Sequence, residues 1–168
     1  MKWIGISGSK LTDAHMEADV RQDVNEILMQ GNGIVVGGAI GVDQIAAEEA
    51  LKQDPGAEYI KVCLPAALSL YIDHYRTRAE EEVITHEQAD ALTHLLSLVK
   101  KRNPKALIEH PTNTVMNRET YYERNSKIVE LSDALHAFQA NHSKGTQDTV
   151  DKAKARGIPV TLRTYDLP

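Results

Sequence analysis

Ile34-Val35-Val36-Gly37-Gly38-Ala39-Ile40-Gly41-Val42-Asp43 contains the change of period that decides the fold. Three consecutive β-branched residues, apolar on both faces, read as a strand buried on both sides. Gly37-Gly38 ends it, and Val42, Ile45, Ala46 and Ala50 then fall on one face of a helix that Asp54-Pro55-Gly56 breaks. The same succession of strand, polar loop and helix is found on either side. Upstream, Trp3 to Ser7 reads as a strand ending at Gly8-Ser9. Thr12 or Asp13 caps a helix carrying Val20, Val24, Ile27 and Leu28, and Gly31-Asn32-Gly33 closes it. Downstream, Tyr59 to Leu64 is a third strand. Leu68 to Ile84 and Glu87 to Lys101 read as helices, and Lys105 to His110 as a further strand. Thr114 to Leu131 reads as a long polar-rich helix and Ala134 to Phe138 as a strand. Gly145 to Arg156 is a helix stopped by Gly157, and Ile158 to Leu162 returns as the last strand. Strands that are apolar throughout, alternating with amphipathic helices, imply an α/β architecture: an open parallel sheet with helices on both faces. Residues 1–168 are expected to form a single domain, with a helical elaboration around 68–120.

Composition narrows the function. The 168 residues carry 19 Lys+Arg against 24 Asp+Glu, a net charge of −5, and are 42% hydrophobic and 26% charged, which is ordinary globular usage. The single cysteine, Cys63, excludes an intrachain disulfide and suits a cytoplasmic location. The N-terminus has no apolar signal region, and no stretch approaches the ~20 apolar residues needed to span a bilayer, so no membrane partner is expected. An acidic chain with only 5% aromatic residues argues against a nucleic-acid partner, which would require strongly segregated charge.

In an open parallel sheet ligands gather beyond the carboxyl ends of the strands. Three loops stand there: Ser7-Gly8-Ser9-Lys10, Gly37-Gly38-Ala39-Ile40-Gly41-Val42-Asp43 and Asn141-His142-Ser143-Lys144-Gly145-Thr146. Glycine allows close approach of a ligand to backbone, and the free N–H groups of a helix's first turn attract anions, so phosphate is the natural ligand group. The alternative is that these glycines only make tight turns. The Gly37-Gly38-x-x-Gly41 spacing is not a dinucleotide fingerprint, and Ser143-Lys144-Gly145-Thr146 has the wrong order for a Walker loop, so a dehydrogenase and an ATPase are both disfavoured. Arg124-Asn125 falls near the same rim. Arg124 offers a fork of donors for phosphate, and Asn125 a bond to a ribose hydroxyl or to loop backbone; the bland alternative pairs Arg124 with Glu123 or Glu130 on a solvated helix. Tyr121 and Tyr122 either stack on a base or pack on a neighbouring helix.

Other residues offer less. The seven histidines form no metal cluster by spacing, so neither a metal nor another cofactor is expected. Cys63 sits in an apolar strand as a small hydrophobe. Glu80-Glu81-Glu82 after Arg76 and Arg78 is a solvated helix face, and Lys100-Lys101-Arg102 matches the negative end of a helix dipole.

Taken together these residues resemble the SLOG superfamily, which includes the DNA-processing protein A domain and the lonely-guy phosphoribohydrolases. The similarity is greatest to its small stand-alone bacterial members. It rests on Gly37-Gly38-Ala39-x-Gly41-x-Asp43 with Ala46-Ala47-x-x-Ala50, on Arg124-Asn125, on Ser132-Asp133-Ala134-Leu135 leading to Phe138, on Ser143-x-Gly145-Thr146 and on Gly157-Ile158-Pro159-Val160. The resemblance implies a Rossmann-like fold, a nucleotide or nucleotide-derived ligand at the strand ends, and a homodimer. The expected ligand-binding residues are Gly8, Ser9, Gly37, Gly38, Ala39, Gly41, Asp43, Arg124, Asn125, Ser143, Gly145 and Thr146. Asp43 either accepts a ribose hydroxyl or caps its own helix. The sequence departs from the hydrolases, which carry Pro-Gly-Gly before the Gly-Thr and a glutamate three residues after the threonine. Here Thr149 stands in that place and Asp148 beside it, a rotation of about 100° on a helix. Nucleotide binding is therefore the leading expectation. Phosphoribohydrolase (N-glycosidase) activity with Asp148 and Arg124 as catalytic residues is the alternative, and a DNA-processing protein A-like role on single-stranded DNA is the second.

Overall fold

The computed structural model describes residues 1–168. Its six strands are β1 (Trp3–Gly8), β2 (Gly33–Gly37), β3 (Ile60–Cys63), β4 (Leu107–Ile108), β5 (Ala134–Ala140) and β6 (Val160–Tyr165). They form one sheet in the order β4-β3-β2-β1-β5-β6, and every pairing is parallel. The helices are α1 (Ala14–Met29), α2 (Val42–Gln53), α3 (Leu68–Glu80), α4 (His86–Arg102), α5 (Arg118–Glu130) and α6 (Lys144–Arg156). This is the open parallel α/β sheet expected from the alternation, and it is Rossmann-like, as the family resemblance implies.

Side chains alternate across the sheet, and each face has its own core. Ile4, Ile6, Ile34, Val36, Ile60, Val62 and Phe138 join residues of α1 to α4 in a cluster of 30 buried side chains. The opposite face is thinner: Leu135 and Ala137 pack with Val129, Val150 and Ala153 of α5 and α6, while Val35 and Cys63 pack with Ile128. Chain direction explains the arrangement. From β1 the chain winds outward through β2, β3 and β4, then returns past β1 to lay down β5 and β6, so the order reverses between β1 and β5. A crevice opens at such a switch point, outside the carboxyl ends of the strands.

Local chemistry set the boundaries where they differ from the expected ones. Asp13, not Thr12, caps α1, its carboxylate accepting from the Met16 amide at 2.8 Å. Helix α5 begins only at Arg118, because Asn117 and Thr120 form a capping box there. Helix α3 stops at Glu80 as Glu82 adopts a left-handed φ of 59°. The strand expected over Lys105 to His110 shrinks to two residues because Pro104–Ala106 forms a 3-10 turn capped by Asn103. No helix is long and apolar enough to cross a membrane.

Candidate functional site

The pairing of β1 with β5 brings together loops more than 130 residues apart. The Ser9 amide donates to the Phe138 carbonyl at 3.1 Å, and the Ser9 hydroxyl accepts from the Ala140 amide at 2.8 Å. Beyond this seam lies a cavity of about 400 Å³. Gly8, Ser9 and Lys10 form one wall, with Ala39 and Asp43 behind them. Tyr121, Tyr122, Arg124 and Asn125 of α5 form another, and Asn141, Ser143, Gly145 and Thr146 close the third side. Most of the residues expected at the site therefore meet in one place; Gly37, Gly38, Gly41 and Asp148 do not line it.

The glycines divide into two kinds. A Cβ on Gly8 would lie 2.5 Å from the Val42 side chain, and one on Gly38 2.3 Å from the Leu64 side chain. Gly41, at φ +89°, faces the Ser9 carbonyl oxygen at 2.4 Å from a Cβ position. These glycines are required by protein atoms packed against them, a structural role beyond the tight turns expected from the sequence. Gly145 is different: nothing lies within 4 Å of its Cβ position. It stands in the first turn of α6, whose cap Ser143 makes no side-chain capping bond. The first amide in this turn with an acceptor is that of Gln147, bonded to the Ser143 carbonyl at 3.0 Å, so the amides of Lys144, Gly145 and Thr146 point out of the helix unpaired. At the α2 N-terminus one such amide is taken up, Val42 donating to the Ser9 carbonyl at 3.2 Å.

Facing this helix end is Arg124, 9% exposed. Its Nε donates to Asn125 Oδ1 at 3.1 Å, and its Nη1 is fully buried with no hydrogen-bond partner. Neither glutamate takes it up: Glu123 bonds Asn113, and Glu130 pairs with Lys127 at 3.0 Å. Gly37 makes room for the guanidinium, because a Cβ there would stand 2.3 Å from Nη1 and 2.6 Å from an Asp43 oxygen. Burial opposes the Arg124 charge and Asp43 favours it, leaving the group firmly protonated. Asp43 is 6% exposed and accepts from the Ala39 amide at 3.3 Å, tying the loop to its own helix. Burial pushes its pKa up to about 6, against the pull of Arg124. Lys10 is lowered by burial and then by the positive charges of Arg124 and Arg78.

Asn125 is committed to the protein. Its amide donates to Asp148 at 3.1 Å and to the Gly145 carbonyl at 3.4 Å, which locks α5 to the first turn of α6. Asp148 lies behind it in an ion pair with Lys152 at 2.7 Å. The carboxylate needed by the hydrolase alternative is thus held away from the cavity. Cys63 is buried and its thiol is pushed up to about 12 by that burial, so it offers no thiolate. No group of three or more His, Cys, Asp or Glu side chains is placed to hold a metal.

Two features escaped the sequence reading. Lys10 was visible only as the end of a loop, yet its ammonium lies 5.7 Å from the centroid of Tyr121, whose ring also has the Arg124 guanidinium at 5.4 Å. Asn141 and His142 are consecutive non-glycine residues at φ 49° and 55°, a left-handed pair that carries the chain from β5 into α6. Both are residue types enriched in the left-handed region, the one signal in the sequence that could have marked this turn.

A reversing parallel sheet with an uncapped helix N-terminus and a buried arginine at its switch point defines a Rossmann-like domain with a strand-end site. The sequence specifies it further: a family model for DNA recombination-mediator protein A matches residues 1–166, and the chain belongs to that family. Among solved structures, DNA processing protein A from Helicobacter pylori, described for its single-stranded DNA binding mode, superposes with a TM-score of 0.70 at 18% identity, covering 96% of this chain and 64% of that one. DNA processing protein A from Streptococcus pneumoniae superposes with a TM-score of 0.65 at 15% identity, covering 96% and 50%. The chain thus spans about half to two-thirds of the length of these two proteins, and at these identities the likeness speaks for the fold. No curated protein sequence matches the chain. Family membership overturns the expectation that a nucleic-acid partner is disfavoured. The net charge of −5 averaged over the whole surface concealed cations and tyrosines segregated at one rim: Lys10, Arg124, Tyr121 and Tyr122 all line the same cavity.

Proposed function

We propose that this chain binds single-stranded DNA at the strand-end cavity, with a backbone phosphate on the first turn of α6 and Arg124 completing its coordination. The observation that carries the reading is that the first turn of α6, whose Gly145 and Thr146 amides are unpaired, and the buried Arg124, whose Nη1 has no partner, line one cavity. An anion held between them would pair with the amides and offset the buried guanidinium's charge. Tyr121 and Tyr122 supply aromatic faces on the same wall, which suits unstacked bases better than a duplex. A free nucleotide would use the same phosphate seat. The family to which the chain belongs favours the polymer. The same proposal takes residues 1–168 as one folding unit acting in the cytoplasm.

Fluorescence anisotropy with a labelled oligothymidylate of about ten nucleotides tests this. Gly145→Asp places a carboxylate where a Cβ meets open space and where a helix N-terminus welcomes negative charge, so the variant folds. It is expected to weaken binding at least about tenfold by repelling phosphate, and Arg124→Met to do the same while lowering the salt slope by about 1. Absence of saturable binding at low salt, or binding indifferent to both changes, refutes the reading.

A further inference from the structure

A second cavity, of about 350 Å³, adjoins the first. The two share Lys10, Leu11 and Tyr121, so the Tyr121 ring is the ridge between them. Its chemistry differs from its neighbour's: Ile40, Tyr75, Val83 and Ile84 make it largely apolar, with His74 and Arg78 at the rim. Val83 is 60% exposed and Leu11 53%, so the cavity presents apolar surface at its mouth.

Charge supplies the second observation. Lys10 has no carboxylate partner, and Arg78 has only Glu81, at 3.5 Å on a half-exposed surface. Lys10 feels the repulsion of both Arg124 and Arg78, and only Asp43 opposes it. His74 sits under the same influence, with Arg78 and Lys10 holding its pKa down in addition to burial. Lys10, Arg124 and Arg78 thus lie along the line joining the two cavities. An apolar slot reached across a ridge carrying Lys10 and Arg78 matches a nucleobase joined to a phosphodiester.

We infer that the second cavity receives the nucleobase adjacent to the nucleotide held at α6, with the linking phosphodiester crossing the Tyr121 ridge between Lys10 and Arg78. This rests on the reading of the first cavity as a phosphate seat. It makes the smallest fully bound ligand a dinucleotide, and it distinguishes a strand from a free nucleotide by contacts beyond the first phosphate.

Isothermal titration of the intact chain with thymidine 5′-monophosphate and with the 5′-phosphorylated thymidine dinucleotide separates the possibilities. The dinucleotide is expected to bind about tenfold more tightly, the scale of one stacked base plus one screened phosphate contact. Arg78→Gln and Val83→Ser, both at exposed rim positions and adding no negative charge, are expected to erase that advantage and leave the affinity for the mononucleotide within about twofold. Equal affinities for the two ligands overturn the second subsite while the first stands. An advantage that survives both substitutions also overturns it. Failure of both ligands to bind overturns the phosphate seat and this inference with it.

Discussion

Asp43→Asn is the substitution whose energetic consequence follows most directly from the site. The carboxyl is 6% exposed, and burial raises its pKa from 3.8 to about 6 despite the opposing pull of Arg124 and the Ala39 amide. Below about pH 3.8 the proton is held in both the folded and the unfolded chain, and the contribution to stability is fully present. Between about 3.8 and 6 only the folded chain keeps it, and above about 6 it is lost from both, so stability falls as pH rises through that window. The span from 3.8 to about 6, at about 1.36 kcal/mol per pH unit, corresponds to about 3 kcal/mol of destabilisation at neutral pH. Asparagine keeps an oxygen for the Ala39 amide without the charge. Urea unfolding of both proteins across this range is expected to show the variant gaining on the wild type from nearly nothing at about pH 4 to about 3 kcal/mol at about pH 7. Taking the difference between the two removes the other carboxylates, among them Glu49, which is held low chiefly by Lys52 and titrates with the opposite sign. A difference that does not change with pH, or a variant less stable at neutral pH, refutes the assignment of Asp43 as a strained buried carboxylate.

Binding is expected to follow the same titration. As pH falls through about 6, Asp43 ceases to offset Arg124, and anisotropy should record tighter binding to oligothymidylate; Asp43→Asn removes the trend, with His74→Gln controlling for the imidazole that titrates in the same direction. The two kinds of glycine separate by thermal denaturation: Gly145→Ala gains up to about 1 kcal/mol from helix propensity, whereas Gly8→Ala loses about 1–3 kcal/mol by overpacking against Val42. His142→Gly relieves an exposed left-handed residue at φ 55° and should gain about 1 kcal/mol in the same assay; a loss would mean that the imidazole holds the β5–α6 turn.

The sequence by itself determined the alternation of elements and the places where chemistry would gather. Apolar runs such as Ile34-Val35-Val36, the helical spacing of Val20, Val24 and Ile27, and the breaks at Gly37-Gly38 and Asp54-Pro55-Gly56 act over a few residues, so their meaning is local and readable. The same holds for the three strand-end loops and for Arg124-Asn125, because in an open parallel sheet loops after strands face one edge. Tertiary structure decided the rest, since it depends on which distant segments touch. Only the order β4-β3-β2-β1-β5-β6 joins the Ser9 loop to Ala140 and brings α6 against α5. Packing then showed that Gly8, Gly38 and Gly41 answer to Val42, Leu64 and Ser9 while Gly145 alone among the site's glycines is open, and it set Asp148 behind Asn125. The partner was misjudged for the same reason: net charge is a sum, whereas recognition depends on where the charges lie. Folding placed Lys10, Arg124 and two tyrosines at one rim of an acidic chain, and no count of residues contains that position.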